Sequence, residues 1–132
     1  MNFSEPENTQ NFFSKSLVTG DEKMVQIIST EELKEKNEKR EEFILLDVRD
    51  TADFEEEHIV GAVHLLISEM NEQKVDSMFD KDDLIITYSA DINCPAKKIA
   101  AEKLIGYGFK NVIAYDESWK AWKEANYPTE SS

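Results

Sequence analysis

The chain has 132 residues, of which 40% are hydrophobic, a composition that suits one domain with a single core and excludes a disordered chain. It carries 15 basic and 28 acidic residues, a formal net charge of -13, which argues against nucleic-acid binding because that role needs clustered Lys and Arg. No apolar run approaches the roughly 20 residues of a membrane span. Residues 1–16 lack the features of a secretory signal, so we expect a cytoplasmic protein without a membrane partner.

The pattern of residues 1–24 predicts a polar N-terminal extension, partly helical around residues 12–18, and regular alternation begins at Val25. Ser29 with Glu32 three residues later is a capping box, which predicts a helix start. Asp50 is predicted to cap a second, shorter helix. The predicted elements of the first half are, in chain order, the strand "MVQII", the helix "STEELKEKNEKR", the buried strand "FILLDV", the helix "DTADFEEEH" and the strand "AVHLL".

The alternation continues in the second half of the chain. Pro95 is predicted as the first position of a helix that ends near Gly106 or Gly108. The elements are the helix "SEMNEQKVDSMF", the strand "LIITY", the helix "PAKKIAAEKLIGYG", the strand "NVIAY" and the helix "ESWKAWKEANY". The first of these helices is predicted to bury four apolar side chains: Met70, Val75, Met78 and Phe79.

Five strands, each followed by a helix after a short connection, predict an α/β fold. The sheet is expected to be mainly parallel and five-stranded, with helices on both faces. Residues 25–129 are assigned to this single domain and residues 130–132 to a C-terminal tail. In such sheets, ligands bind beyond the carboxyl ends of the strands, where loops lead into helix N-termini. Cys94, the only cysteine, follows the strand "LIITY" in such a loop.

The position of Cys94 favours a reactive thiolate. A helix N-terminus offers unpaired N–H groups and a partial positive charge, which lower the pKa of a thiol, and Lys97 and Lys98 add positive charge within one turn. Pro95 weakens this prediction because it has no N–H to donate. The alternative is an inert cysteine that fills the turn as a small hydrophobic residue. One cysteine excludes an internal disulfide and two histidines are too few for a metal cluster, so neither a metal nor a cofactor is predicted.

The stretch "LLDVRDTADFEEEHIVGAVHL", residues 45–65, resembles the rhodanese-like family, whose pattern is Asp-x-Arg after an apolar strand, an acidic helix and His-Ile-x-Gly-Ala. The segments "AAEKLIGYGFKNV" and "WKAWKEANYP" are similar to later parts of that family, so the resemblance covers about residues 25–129. It implies a rhodanese-like domain in which a cysteine thiolate takes sulfane sulfur from a donor such as thiosulfate and passes it to an acceptor thiol. Asp47 and Arg49 match the Asp-x-Arg pair; they point the same way by strand alternation and are predicted as a supporting ion pair.

The chain departs from the family pattern at the catalytic position. Ser89 follows Tyr88 where the family has its cysteine, and a serine cannot carry a persulfide. Cys94 stands five residues later, near the place of a family arginine. The chain resembles members with two cysteines in this loop, with the first one lost. We predict that Cys94 is the nucleophile, and the other predicted residues of the active-site loop are Ser89, Ala90, Asp91, Ile92, Asn93 and Lys97.

Two functional hypotheses remain open at this point. The first is a sulfurtransferase or sulfur carrier that uses Cys94, with a small sulfur donor or acceptor, or a thiol-bearing protein, as its partner. The second is a catalytically inactive binding or regulatory module, motivated by Ser89, the missing arginine and Pro95. Further alternatives are a redox sensor that forms a mixed disulfide and a phosphatase or arsenate-reductase relative, although the Cys and Arg that bracket a phosphate loop are absent. An acidic surface would repel thiosulfate unless the pocket is locally basic.

Overall fold

A computed structural model describes residues 25–132, and the predicted N-terminal extension lies outside the described residues. Five strands form a parallel sheet of order β1-β6-β5-β2-β4, and β3 pairs with β7 in a separate antiparallel ladder. The strands are β1 (Gln26–Ile28), β2 (Ile44–Asp47), β3 (His58–Ile59), β4 (Val63–His64), β5 (Leu84–Tyr88), β6 (Asn111–Tyr115) and β7 (Thr129–Glu130). The predicted parallel five-stranded sheet is therefore confirmed.

The helices begin and end close to where the sequence predicts. They are α1 (Thr30–Glu38), α2 (Thr51–Glu56), α3 (Glu72–Met78), α4 (Ala96–Gly106) and α5 (Ser118–Glu124). The capping box of α1 is confirmed, since Ser29 and Glu32 each accept a hydrogen bond from the other's N–H. Asp50 is the N-cap residue of α2, although its side chain makes no capping hydrogen bond. Pro95 is the N-cap residue of α4 rather than its first residue.

The helix predicted over residues 68–79 is divided in the structure. Residues Ile67–Glu69 form a 3-10 turn, and α3 starts afresh because the side chain of Asn71 accepts the N–H of Lys74 as an N-cap. Met70 and Val75 are buried as predicted. The prediction that Met78 is buried is wrong: its side chain is 37% exposed, because α3 ends there and the backbone of the next residue is already extended.

Alternating side chains of the central strands fill one core on each face of the sheet. Leu46 and Ile85 point to the face that α3 and α4 cover, whereas Leu45 and Ile86 point to the face that α1 and α5 cover. The helices contribute Val75, Ala100, Leu104, Leu33 and Trp122 to these cores. None of the helices within residues 25–132 has the length and apolar character needed to cross a membrane.

Candidate functional site

Residues 89–94, the predicted active-site loop, lead from the carboxyl end of β5 into α4. The loop is fastened to the start of α5 by two backbone hydrogen bonds. The N–H of Trp119 donates to the Ser89 carbonyl and the N–H of Lys120 donates to the Ala90 carbonyl, each at 3.0 Å. The first half of the loop is therefore held by a neighbouring helix, in the region where ligands bind to parallel sheets.

The side chain of Cys94 is partly exposed and lies directly before the N-terminus of α4. Burial raises the pKa of its thiol, but hydrogen bonds from the Ala96 N–H, the Ser89 hydroxyl and the Ala90 N–H, together with the charge of Lys97, lower it further than burial raises it. The pKa of Cys94 therefore lies below its ordinary value. The N–H that Pro95 lacks is supplied by the next residue, so the loop favours a thiolate.

Ser89 is buried and connects the two ends of the active-site loop. Its N–H donates to the hydroxyl oxygen of Ser118 at 3.1 Å, and its own hydroxyl oxygen lies 3.3 Å from the Cys94 carbonyl oxygen. The single hydroxyl proton of Ser89 can therefore be directed either at that carbonyl or at the Cys94 thiolate. Ser118 is fully buried, adopts a φ of 66° and donates its hydroxyl to the Tyr115 carbonyl at 2.9 Å. The ends of β5 and β6 are thus joined through one serine hydroxyl. Ser118 was not predicted as a site residue, because a serine at a helix start is ordinary in sequence.

Lys97 fills the interior of the active-site loop. Its side chain is 1% exposed, and its ammonium group donates to the carbonyl oxygens of Asp91, Ile92 and Cys94 at 3.0, 3.1 and 2.8 Å. The carboxylate of Asp116, a residue that was not predicted either, lies 3.7 Å from the same ammonium. Three loop carbonyls therefore face one buried cation, which stabilises the loop without an external ligand.

Asp91 directs its carboxylate back into the active-site loop. Its Oδ1 atom accepts the N–H groups of Asn93 and Cys94, both at 3.0 Å. Ile92, at the loop apex, has a side chain that is 55% exposed. Two of the loop amides are consequently satisfied by a carboxylate of the protein itself.

Asp47 and Arg49 form a separate buried clamp at the end of β2. The Arg49 guanidinium donates to both carboxylate oxygens of Asp47 at 2.8 to 3.2 Å and to the Glu57 carbonyl at 2.7 Å. It also lies 4.5 Å from the ring centroid of Trp119, the residue whose N–H holds Ser89. The predicted ion pair is therefore present, and its guanidinium also lies 5.8 Å from the ring centroid of Tyr88, the residue that precedes the loop.

Comparison with known proteins agrees with this architecture. The family model of the rhodanese-like domain matches residues 29–125. The chain belongs to the rhodanese-like family. This rhodanese-like domain is 31% identical over 91 residues to a thiosulfate sulfurtransferase GlpE of Coxiella burnetii, a match that covers 69% of this chain and 80% of the relative. It is 32% identical over 88 residues to a GlpE of Vibrio cholerae, covering 67% and 79%.

Solved structures show the same fold. The BH2092 protein from Bacillus halodurans matches with a TM-score of 0.75 and 27% identity, over 80% of this chain and 77% of that chain. The Alr3790 protein from Anabaena sp. matches with a TM-score of 0.72 and 30% identity, over 79% and 91%. The family predicted from the Asp-x-Arg and His-Ile-x-Gly-Ala motifs and the fold class predicted from the alternation of strands and helices are confirmed, whereas the role of Cys94 stays a prediction.

Proposed function

We propose that this rhodanese-like domain is a sulfurtransferase or sulfur carrier that holds sulfane sulfur as a persulfide on Cys94. The observation that supports the proposal is the place of Cys94: its thiol is partly exposed, directly precedes the N-terminus of α4 and has its pKa lowered by the N–H groups of Ala96 and Ala90, the hydroxyl of Ser89 and the charge of Lys97. Donors that stabilise a thiolate also stabilise the negative terminal sulfur of a persulfide. Relatives of the chain are named thiosulfate sulfurtransferases.

The proposed reaction is a two-step nucleophilic transfer. The Cys94 thiolate attacks the outer sulfur of the donor, a new sulfur–sulfur bond forms on Cys94, and the bond between the two donor sulfurs breaks. The leaving group departs with the electron pair, as sulfite from thiosulfate or as a sulfinate from an organic thiosulfonate. An acceptor thiolate, on a small molecule or a protein, then attacks the terminal sulfur, and Cys94 leaves as a thiolate.

In this proposal Ser89 assists the nucleophile. Its oxygen cannot carry a persulfide, and its side chain is 1% exposed. Its hydroxyl is instead a hydrogen-bond donor to the Cys94 residue. Ser89, which occupies the position of the family's cysteine, thus supports the proposed nucleophile Cys94 five residues later in the chain.

The second candidate function is a binding module without catalysis. The observation that favours it is that the polar groups of the active-site loop are hydrogen-bonded within the protein: Lys97 donates to three carbonyls, and Asp91 accepts two amides. A loop of this kind is ordered without a substrate.

Intact-protein mass spectrometry under non-reducing conditions tests the proposed function. Wild type and Cys94→Ser are incubated separately with thiosulfate and with thiotaurine, a thiosulfonate that carries an amine. We expect wild type to gain one sulfur atom that cyanide removes, and Cys94→Ser to gain none. If folded wild type with a free thiol gains no sulfur from either donor, sulfur transfer is rejected in favour of the binding module.

A further inference from the structure

The Asp91 carboxylate lies against backbone N–H groups of the loop that leads into α4. Such N–H groups are the usual ligands of oxyanions at the start of a helix. Here the N–H groups of Asn93 and Cys94 already donate to the Asp91 carboxylate, both at 3.0 Å. An anionic donor that approaches the Cys94 sulfur therefore meets a fixed carboxylate instead of two free amides.

The two lysines at the start of α4 do not offset this charge for an incoming molecule, because the ammonium groups of Lys97 and Lys98 both lie 3.7 Å from the Asp116 carboxylate. Lys97 is buried, and its ammonium group is directed at three loop carbonyls, with the carboxylate of Asp116 at 3.7 Å. A shallow cavity of about 280 Å³ lies between the active-site loop and α5. Its charged lining residues are three acids and one base: Asp91, Glu117, Glu124 and Lys120. The surface beside Asp91, between the loop and α5, is thus acidic rather than basic.

We propose that Asp91 is a specificity-determining residue that selects against dianionic donors such as thiosulfate, so that Cys94 takes sulfur from a sulfane-sulfur donor of low net negative charge. This inference rests on the proposed function. Thiotaurine represents the favoured class, because its ammonium group balances its thiosulfonate charge. Both donors undergo the same bond exchange at Cys94, with sulfite leaving from thiosulfate and the sulfinate hypotaurine leaving from thiotaurine.

Alkylation of Cys94 tests the charge selection without any sulfur transfer. Since the chain has one cysteine, the rates with neutral iodoacetamide and anionic iodoacetate report on Cys94 alone. Asp91→Asn keeps an acceptor oxygen for the two amides but removes the charge. We expect the ratio of the iodoacetamide rate to the iodoacetate rate to fall about three- to tenfold in this variant, the range for one charge near solvent. A change in the thiol pKa alters both rates equally and cancels in the ratio.

Asp82→Asn is the matched control. Asp82 precedes β5 at the opposite end of the strand from the active-site loop, and its side chain is 81% exposed. The same change in net charge at this position should leave the alkylation ratio unchanged. Added salt provides a measurement that needs no variant, because screening should raise the iodoacetate rate of wild type towards the iodoacetamide rate.

Sulfur loading then assigns the donor. The ratio of the loading rate from thiotaurine to the loading rate from thiosulfate is measured on the protein and on a small free thiol. We expect this ratio to be higher for wild type than for the free thiol. Asp91→Asn should lower it about three- to tenfold, the effect of a single charge near solvent. If neither donor loads Cys94, the proposed function and the donor assignment are both overturned. If both donors load Cys94, but the alkylation ratio and donor preference of wild type are the same in Asp91→Asn and insensitive to salt, only the inference about Asp91 is overturned.

Discussion

The hydroxyl of Ser89 is the residue-level feature that connects the fold to the chemistry. Its buried oxygen is close to Cys94 and acts as a donor to it, and its N–H is held by the hydroxyl of Ser118. The residue thus contributes to the thiolate environment from a position where it could not carry sulfur itself. Its contribution can be measured on the thiol directly.

Replacement of Ser89 by Ala should raise the pKa of Cys94. The thiolate loses one hydrogen-bond donor, so its formation requires a higher pH. We expect the pH midpoint of the iodoacetamide reaction, which follows the thiolate fraction, to move upward by up to about one unit. Ser77→Ala is the control, since the Ser77 hydroxyl donates to the Lys74 carbonyl on α3, away from Cys94. An unchanged midpoint in Ser89→Ala would show that the hydroxyl does not act on the thiol.

Lys97→Met should loosen the active-site loop and destabilise the domain. The methionine fills a similar volume but leaves three carbonyl oxygens without their donor and Asp116 without its closest buried cation. We expect a loss of about 2–3 kcal/mol in the free energy of unfolding by urea, the order for hydrogen bonds to a buried charge. Lys98→Met is the control, because that side chain is 48% exposed and should cost little. Equal losses in the two variants would contradict the central role of Lys97.

At the level of the elements, the clamp of Asp47 and Arg49 holds β2, the end of α2 and α5 together. Asp47 is fully buried, and the Arg49 guanidinium extends from it to the Glu57 carbonyl and the Trp119 ring. The clamp is a stabilising feature of the scaffold, and the Cys94 sulfur is not among its contacts.

Asp47→Asn should therefore lower stability without changing the thiol. Removal of one charge from a buried pair leaves the other uncompensated, which costs about 3 kcal/mol in the free energy of unfolding. The pH midpoint of Cys94 alkylation should stay at the wild-type value. Asp82→Asn breaks only the exposed pair with Lys110 and should cost less than about 1 kcal/mol. A shifted Cys94 midpoint in Asp47→Asn would place the clamp in the site instead.

The main elements were predictable because each carries a local signal. Buried parallel strands appear as apolar runs, and the Ser29 cap marks the start of α1. The strands β3 and β7 were missed because they have two residues each and pair His58 with Glu130, which is the first residue of the predicted tail. A two-residue strand has no periodicity to detect, and β4, which also has two residues, was predicted only because it lies in the apolar run "AVHLL".

The candidate site was predictable only in part, for a similar reason. The helix N-terminus and the apolar strand before it place Cys94 and its loop. The Asp91 carboxylate accepts N–H groups of its own loop because of the path that the loop backbone follows. The Ser118 hydroxyl contacts Ser89 because the loop packs against the start of α5. Such contacts leave no pattern in the sequence, because an acidic residue in a polar loop is ordinarily solvated.

At the level of the whole molecule, the net charge of -13 opposes folding through repulsion between like charges. Added sodium chloride, from about 10 to about 500 mM, should screen this repulsion and raise the unfolding temperature at pH 7 by roughly 4 °C, or about 1 kcal/mol. Differential scanning calorimetry measures the change. The salt effect should vanish near pH 4.5, the isoelectric point of the sequence. A salt-independent transition at pH 7 would mean that local ion pairs balance the repulsion.

Ser118 offers a way to sort relatives of this domain. A left-handed backbone with a φ of 66° suits glycine, yet the position holds a residue whose hydroxyl connects the ends of two neighbouring strands. The strained backbone of Ser118 therefore accompanies a hydroxyl contact that attaches the active-site loop to the end of β6. Relatives with a hydroxyl residue at the equivalent position are expected to share the tether, whereas relatives with glycine there would relax the backbone and hold the loop by other means.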